Sequence, residues 1–118
     1  MPFTLLPARS PQPNPITELF RDAKTCDREK RKLGRTPYFK PAMVQMRANA
    51  TDRRMVLTRD ISEAGVGLLH LDPLEPQEEI TLSVELESRK LVEVAVQIAW
   101  CVPCGGGWYI SGGEFHDA

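Results

Sequence analysis

Two short clusters carry the side chains best suited to chemistry in this sequence: Lys30-Arg31-Lys32-Leu33-Gly34-Arg35 and Asp60-Ile61-Ser62-Glu63-Ala64-Gly65. A guanidinium is a planar fork of donors that fits a phosphate, or the O6/N7 edge of guanine, with two hydrogen bonds, and its flat face stacks on a base. Arg31 and Arg35 are four apart and share a face if their segment is helical. An ionised carboxylate only accepts hydrogen bonds, whereas a hydroxyl donates and accepts. Asp60 and Ser62, two apart on an extended chain, project to one side. Gly65 permits a turn with positive φ, or a close approach of ligand or strand to the backbone. The Asp60/Ser62/Gly65 trio suits a flat group with adjacent N–H donors, of which the N1–H/N2–H2 edge of guanine is one, and the two arginines could hold a guanine-containing, doubly anionic ligand. Either cluster alone is commonplace, one as a solvated basic helix end and the other as an Asx or Ser turn.

Other reactive side chains point nowhere so definite. Cys101-Val102-Pro103-Cys104 invites a metal or redox reading, but residues three apart on a strand face opposite ways, and Cys26, His70 and His116 stand at no zinc-ligand spacing. His70 and His116 have no paired base or nucleophile nearby in sequence, so no catalytic arrangement and no resident cofactor is expected. Three cysteines in a chain whose start lacks the basic and apolar regions of a signal peptide suggest reduced thiols and a cytoplasmic protein.

The net charge of −1 conceals an asymmetry. Residues 21–59 hold twelve Lys/Arg against four acids, a balance of +8, and residues 60–118 hold two against eleven, a balance of −9. A localised anionic partner explains this as well as mutual neutralisation within the fold does.

The elements that must position the two clusters follow from periodicity. Residues 1–14 are expected to be a flexible Pro-rich leader. Residues 15–33 hold a helix and the basic segment: Asn14-Pro15 reads as an N-cap followed by the first helical residue, and Ile16, Leu19, Phe20 and Ala23 recur at helical spacing up to about Arg31. Gly34 and Pro37 end the helix, and alternation begins. Val44, Met46 and Ala48 form one strand, Met55 and Leu57 lead into a second, and Val66–Leu69 into a third. Ile80, Leu82, Val84 and Leu86 then alternate with polar residues, as do Val92, Val94, Val96, Ile98 and Trp100, which places Trp100 on the apolar, core-facing side. Gly105-Gly106-Gly107 is a hairpin tip, and Trp108–Phe115 the last strand. About six short strands over residues 34–118 describe an all-β fold, an antiparallel sheet closed into a small barrel with an N-terminal α-helix.

The arginines before the first strand and the Asp/Ser/Gly set after the second resemble the PilZ family. Arg31-Lys32-Leu33-Gly34-Arg35 is similar to its RxxxR segment and Asp60-Ile61-Ser62-Glu63-Ala64-Gly65 to its (D/N)xSxxG segment. Val96–Trp100 and Ser111–Phe115 continue the likeness, which covers roughly residues 28–117. The resemblance implies a six-stranded β-barrel that binds cyclic di-GMP, with Lys30, Arg31, Arg35, Asp60, Ser62, Gly65 and Trp100 as ligand-binding residues. Lys30 stands where many members place a further arginine, and a lysine meets a phosphate as a point charge without a fork. One ligand and a stacked pair both remain open. The implied protein is a receptor and not an enzyme; it reshapes its basic segment on binding and signals to a protein effector. DNA and membrane are not expected partners, and monomer and homodimer stay open. A PilZ-fold interaction module without effective nucleotide binding is the alternative, and non-specific nucleic-acid binding by the basic half a third.

Overall fold

Asn14 and Pro15 start the helix in the way their side chains dictate. In a computed structural model of the chain, which describes residues 14–26 and 35–116, the Asn14 side-chain oxygen accepts from the Ile16 amide at 2.8 Å. Pro15, which has no N–H to lose there, opens helix α1 (Pro15–Cys26). Leu19 and Ala23 are fully buried, with Ile16 and Phe20 packed beside them, and α1 lies against the barrel. Burying a leucine this completely contributes roughly 1.5–3 kcal/mol. The expected continuation of the helix to about Arg31 and the leader before Asn14 lie outside the described residues.

The strands are β1 (Thr36–Pro37), β2 (Pro41–Met46), β3 (Arg53–Ile61), β4 (Gly65–His70), β5 (Glu79–Glu85), β6 (Leu91–Gly105) and β7 (Trp108–His116). All pairings are antiparallel, in the order β1-β3-β2-β5-β6-β7-β4. β3 also pairs with β4, so the six strands from β2 to β7 close on themselves, with β1 added to the end of β3. This is the small six-stranded barrel with one N-terminal helix that the alternation called for. Inward-facing Val44, Ile80, Leu82, Val84, Val96 and Ile98 fill its core. At the tip of the β6–β7 hairpin Gly106 and Gly107 have φ of 63° and 84°. Two consecutive positive values make the type I′ turn that matches the twist of a hairpin.

One expected strand residue is displaced. Ala48 does not extend β2: Met46 accepts from the Asn49 amide and Asn49 from the Asp52 amide, so the chain turns at Arg47 and leaves Ala48 exposed. Asn49 drives this turn, its side-chain oxygen accepting from the Thr51 amide and hydroxyl.

Two polar clusters are built into the packing. Asp22 of α1 accepts from the Tyr38 hydroxyl (2.6 Å), the Glu87 amide (3.1 Å) and Lys40 Nζ (3.2 Å). Burial opposes its ionisation, yet these donors outweigh that and hold the carboxyl below its ordinary value. Lys40 in turn reaches Glu87 (2.8 Å) and the Glu85 carbonyl (3.0 Å). Burial works against its charge too, but its acidic partners raise its pKa. Inside the barrel, His70 and Ser111 meet at 2.6 Å with both side chains buried. The Asp72 carbonyl, 2.7 Å from Nδ1, can only accept, which assigns the proton to Nδ1 and leaves Nε2 to accept from the serine.

Candidate functional site

The second cluster leaves β3 through a turn that Ser62 makes. Its hydroxyl oxygen accepts from the amides of Ala64 (3.2 Å) and Gly65 (3.1 Å), while its own amide donates to the Gly65 carbonyl (2.9 Å). Gly65 then enters β4 so close to β7 that a Cβ on it would stand 2.2 Å from the Gly113 carbonyl oxygen. The expected positive φ is not found, since positive values among the glycines belong to Gly105, Gly106 and Gly107. Close approach of a neighbouring strand, the other possibility, is what this glycine serves.

Asp60 and Trp100 are aimed by irregularities that residue spacing does not reveal. In β3, Thr58 stands opposite Leu68 and Asp60 opposite Gly67, so Arg59 is an extra residue. In β6, Ile98 stands opposite Gly113 and Trp100 opposite Gly112, so Ala99 is extra. Each is a β-bulge, which shifts the alternation by one and turns the next side chain to the other face. The expectation that Trp100 packs into the core is corrected accordingly: the inward series ends at Ile98, and the indole is 44% exposed on the outside.

The two re-aimed residues end up on one line across the sheet. Asp60 of β3 is opposite Gly67 of β4, Gly67 is opposite Gly112 of β7, and Gly112 is opposite Trp100 of β6. The glycines let both end groups lie flat. A Cβ on Gly67 would be 2.9 Å from the Asp60 carboxylate, and one on Gly112 would be 2.4 Å from the indole Nε1. The result is an open trough of about 660 Å³ with a carboxylate at one side, an indole at the other and glycine backbone as its floor.

Arg35 completes one end. β1 pairs Thr36 with Ile61 and Pro37 with Asp60, which sets Arg35 beside the end of β3. Its Nε and Nη2 reach Asp60 Oδ1 at 2.8 and 2.7 Å. Of the residues singled out from the sequence, Arg35, Asp60, Gly65 and Trp100 all line the trough. Ser62 lies at its edge with its hydroxyl committed to the turn, and Lys30 and Arg31 lie outside the described residues. Sequence reasoning passed over Arg59, Gly67, Gly112 and Gly113, which also line the trough. Glycines inside otherwise alternating strands were the available signal, because such positions often mark a close backbone approach.

Chemically, the trough offers a flat aromatic face, a carboxylate acceptor and guanidinium donors around bare backbone, a surface for a planar, hydrogen-bonding ligand with negative charge. Among the described residues no three His, Cys, Asp or Glu side chains are grouped to hold a metal ion. Cys101 is half-buried and Cys104 exposed, both as thiols. No helix among these residues is long and apolar enough to cross a membrane.

A model of the PilZ domain matches residues 28–118. The chain belongs to the PilZ domain family. Solved structures share its fold: the Bacillus subtilis inhibitor of motility MotI/DgrA superposes with a TM-score of 0.60 at 17% identity, over 74% of this chain and 43% of that one. The PilZ domain of Escherichia coli YcgR, solved with c-di-GMP, superposes with a TM-score of 0.55 at 14% identity, over 73% of this chain and 77% of that one. This PilZ chain thus spans less than half the length of MotI/DgrA. A search of curated proteins gave no match. The PilZ match takes in both sequence clusters, the RxxxR-like Arg31–Arg35 and the Asp60–Gly65 turn.

Proposed function

We propose that this PilZ domain is a receptor for cyclic di-GMP that works by binding and performs no catalysis. The observation that carries the reading is the line Asp60–Gly67–Gly112–Trp100 with Arg35 bonded to Asp60 at its end. A guanine laid on the glycine floor would meet the Trp100 ring, give its N–H donors to the Asp60 carboxylate and take donors from Arg35 at its O6/N7 edge. Ser62 and Gly65 act indirectly, by fixing the turn that presents Asp60. Arg31 of the family motif and Lys30 just before it supply charge for the phosphates. Neutralising that basic segment would change its conformation and present an altered surface to a protein effector.

The test is a calorimetric titration with cyclic di-GMP, with GTP and single-stranded DNA as competitors. Saturable binding that neither competitor displaces is expected. A flat titration would refute the proposal and favour the second reading, a PilZ-fold interaction module without effective nucleotide binding. One observation speaks for that reading: Arg35 and Asp60 are already paired in charge, so a ligand must improve on an existing ion pair. Equal affinity for any polyanion, falling steeply with salt, would instead indicate general nucleic-acid binding.

A further inference from the structure

Arg59 occupies the extra position of the β3 bulge. It shares with Asp60 the place opposite Gly67, and both residues line the trough. A regular strand would have sent two consecutive residues to opposite faces. The bulge gives the site a cation that neither family motif contains.

The charges around the trough are unequal in their commitments. Arg35 and Asp60 neutralise one another at 2.7 Å. Arg59 is half-buried and, among the described residues, its guanidinium has no ion pair or side-chain hydrogen bond. The trough's other charge, Glu114, is exposed on β7, two residues along from Gly112 and separated from β3 by β4. A partly desolvated guanidinium with no counter-ion gains most from an anion, and it meets one without first breaking an internal pair. A cyclic dinucleotide brings two phosphodiester groups, each anionic.

We propose that Arg59 binds a phosphate oxygen of the ligand, a contact outside both sequence motifs; this rests on the cyclic di-GMP reading above. Its charge is the first requirement: a lysine in its place would still meet the phosphate as a point charge, though without the fork. Arg35 then serves the base and Arg59 the backbone of the same ligand.

Calorimetric titration of cyclic di-GMP into the full chain, its Arg59→Gln variant and its Arg59→Lys variant, at low and at high salt, tests this. Arg59→Gln is expected to weaken binding by about tenfold or more and to make it less sensitive to salt, since one charge pair with the ligand is lost. Arg59→Lys should stay within about threefold of the parent, since the charge is kept. Thermal melts of both variants should match the parent, because the side chain makes no ionic contact among the described residues. Arg59→Gln binding as tightly as the parent overturns the assignment and leaves the receptor reading intact. Arg59→Lys as weak as Arg59→Gln, with neither variant less salt-sensitive than the parent, also overturns it, by showing a fork contact to a base. A parent that binds no cyclic di-GMP overturns both the receptor reading and this one.

Discussion

Arg35 donates from Nε to Asp60 Oδ1 at 2.8 Å and brings Nη2 to 2.7 Å from the same oxygen. Of the two carboxylate oxygens, Oδ1 takes this hydrogen bond. A carboxylate held this way keeps acceptor capacity for a ligand's N–H groups while the arginine keeps its remaining donors. The finding reconciles a closed ion pair with a binding site, since neither partner is used up.

Arg35→Ala should separate the two roles. The guanidinium is 52% exposed, so as an ion pair it contributes no more than about 1 kcal/mol to stability. As a contact to guanine it is worth on the order of 1–3 kcal/mol. The variant is expected to melt within a few degrees of the parent while its affinity for cyclic di-GMP falls by roughly ten- to a hundred-fold. Identical affinities in the two proteins would remove Arg35 from the site.

The glycine under the indole can be tested through fluorescence. A methyl at Gly112 would stand 2.4 Å from Trp100 Nε1, so Gly112→Ala must lift the ring from the floor. In a Trp108→Phe background, where Trp100 is the sole tryptophan, the emission maximum should move and the ligand-induced change should be lost. Gly107→Ala strains a turn residue with φ of 84° but has open space around its Cβ position, and should leave the emission of Trp100 and its response to ligand unaltered. An unshifted spectrum for Gly112→Ala would contradict the stacking.

His70 predicts the pH dependence of stability. Burial lowers its pKa below the ordinary 6.5, against the raising effect of the Asp72 carbonyl, and the Arg54 charge adds to the lowering. A group whose folded pKa is depressed contributes stability that is present above its unfolded pKa and lost as the pH falls through the folded one. The urea midpoint should therefore drop between about pH 7.5 and about pH 5.5, and His70→Gln should flatten that drop. A parent midpoint that does not change across this interval would show that His70 is not the controlling group.

Asp22 fastens α1 to the barrel through donors from Tyr38, Lys40 and Glu87. Asp22→Ala should cost about 1–3 kcal/mol at neutral pH, because it removes charge-assisted hydrogen bonds and leaves donors unsatisfied. The same sign reasoning as for His70 places the parent's own loss lower: the contribution stands above pH 3.8 and fades as the pH falls through the depressed value. Hydrogen exchange should show residues 15–26 opening faster in the variant, with β2 to β7 little changed. Equal protection of the helix in both proteins would mean that Leu19 and Ala23 alone hold it.

What could be read from the sequence, and what could not, divides along a physical line. The Asn14 cap, the glycine hairpin tip and the alternation of Ile80–Val84 and Val92–Ile98 are local signals, and the fold keeps them. Trp100 was placed on the wrong face because a bulge is a property of two strands in register; nothing in Ile98-Ala99-Trp100 by itself marks Ala99 as the extra residue. β1 was missed because two residues, one of them a proline, carry no period. Ala48 continued an alternation that Asn49 overrode by bonding its own backbone neighbours. For the site, Arg35 and Asp60 were legible as motif members. The roles of Gly67 and Gly112 are visible only once Asp60 and Trp100 are known to lie over them.

The two bulges also change the scale on which the surface is written. An unbroken strand shows an outward side chain only at every second residue, about 6.6 Å apart. At Arg59/Asp60 and at Ala99/Trp100 successive residues both line the trough, at a Cα spacing of about 3.8 Å. The barrel thus carries two patches of finer grain than its own lattice, set on either side of a stretch with no side chains at all. Groups at that pitch can meet neighbouring atoms of one small molecule, which a plain sheet of this size is too coarse to do.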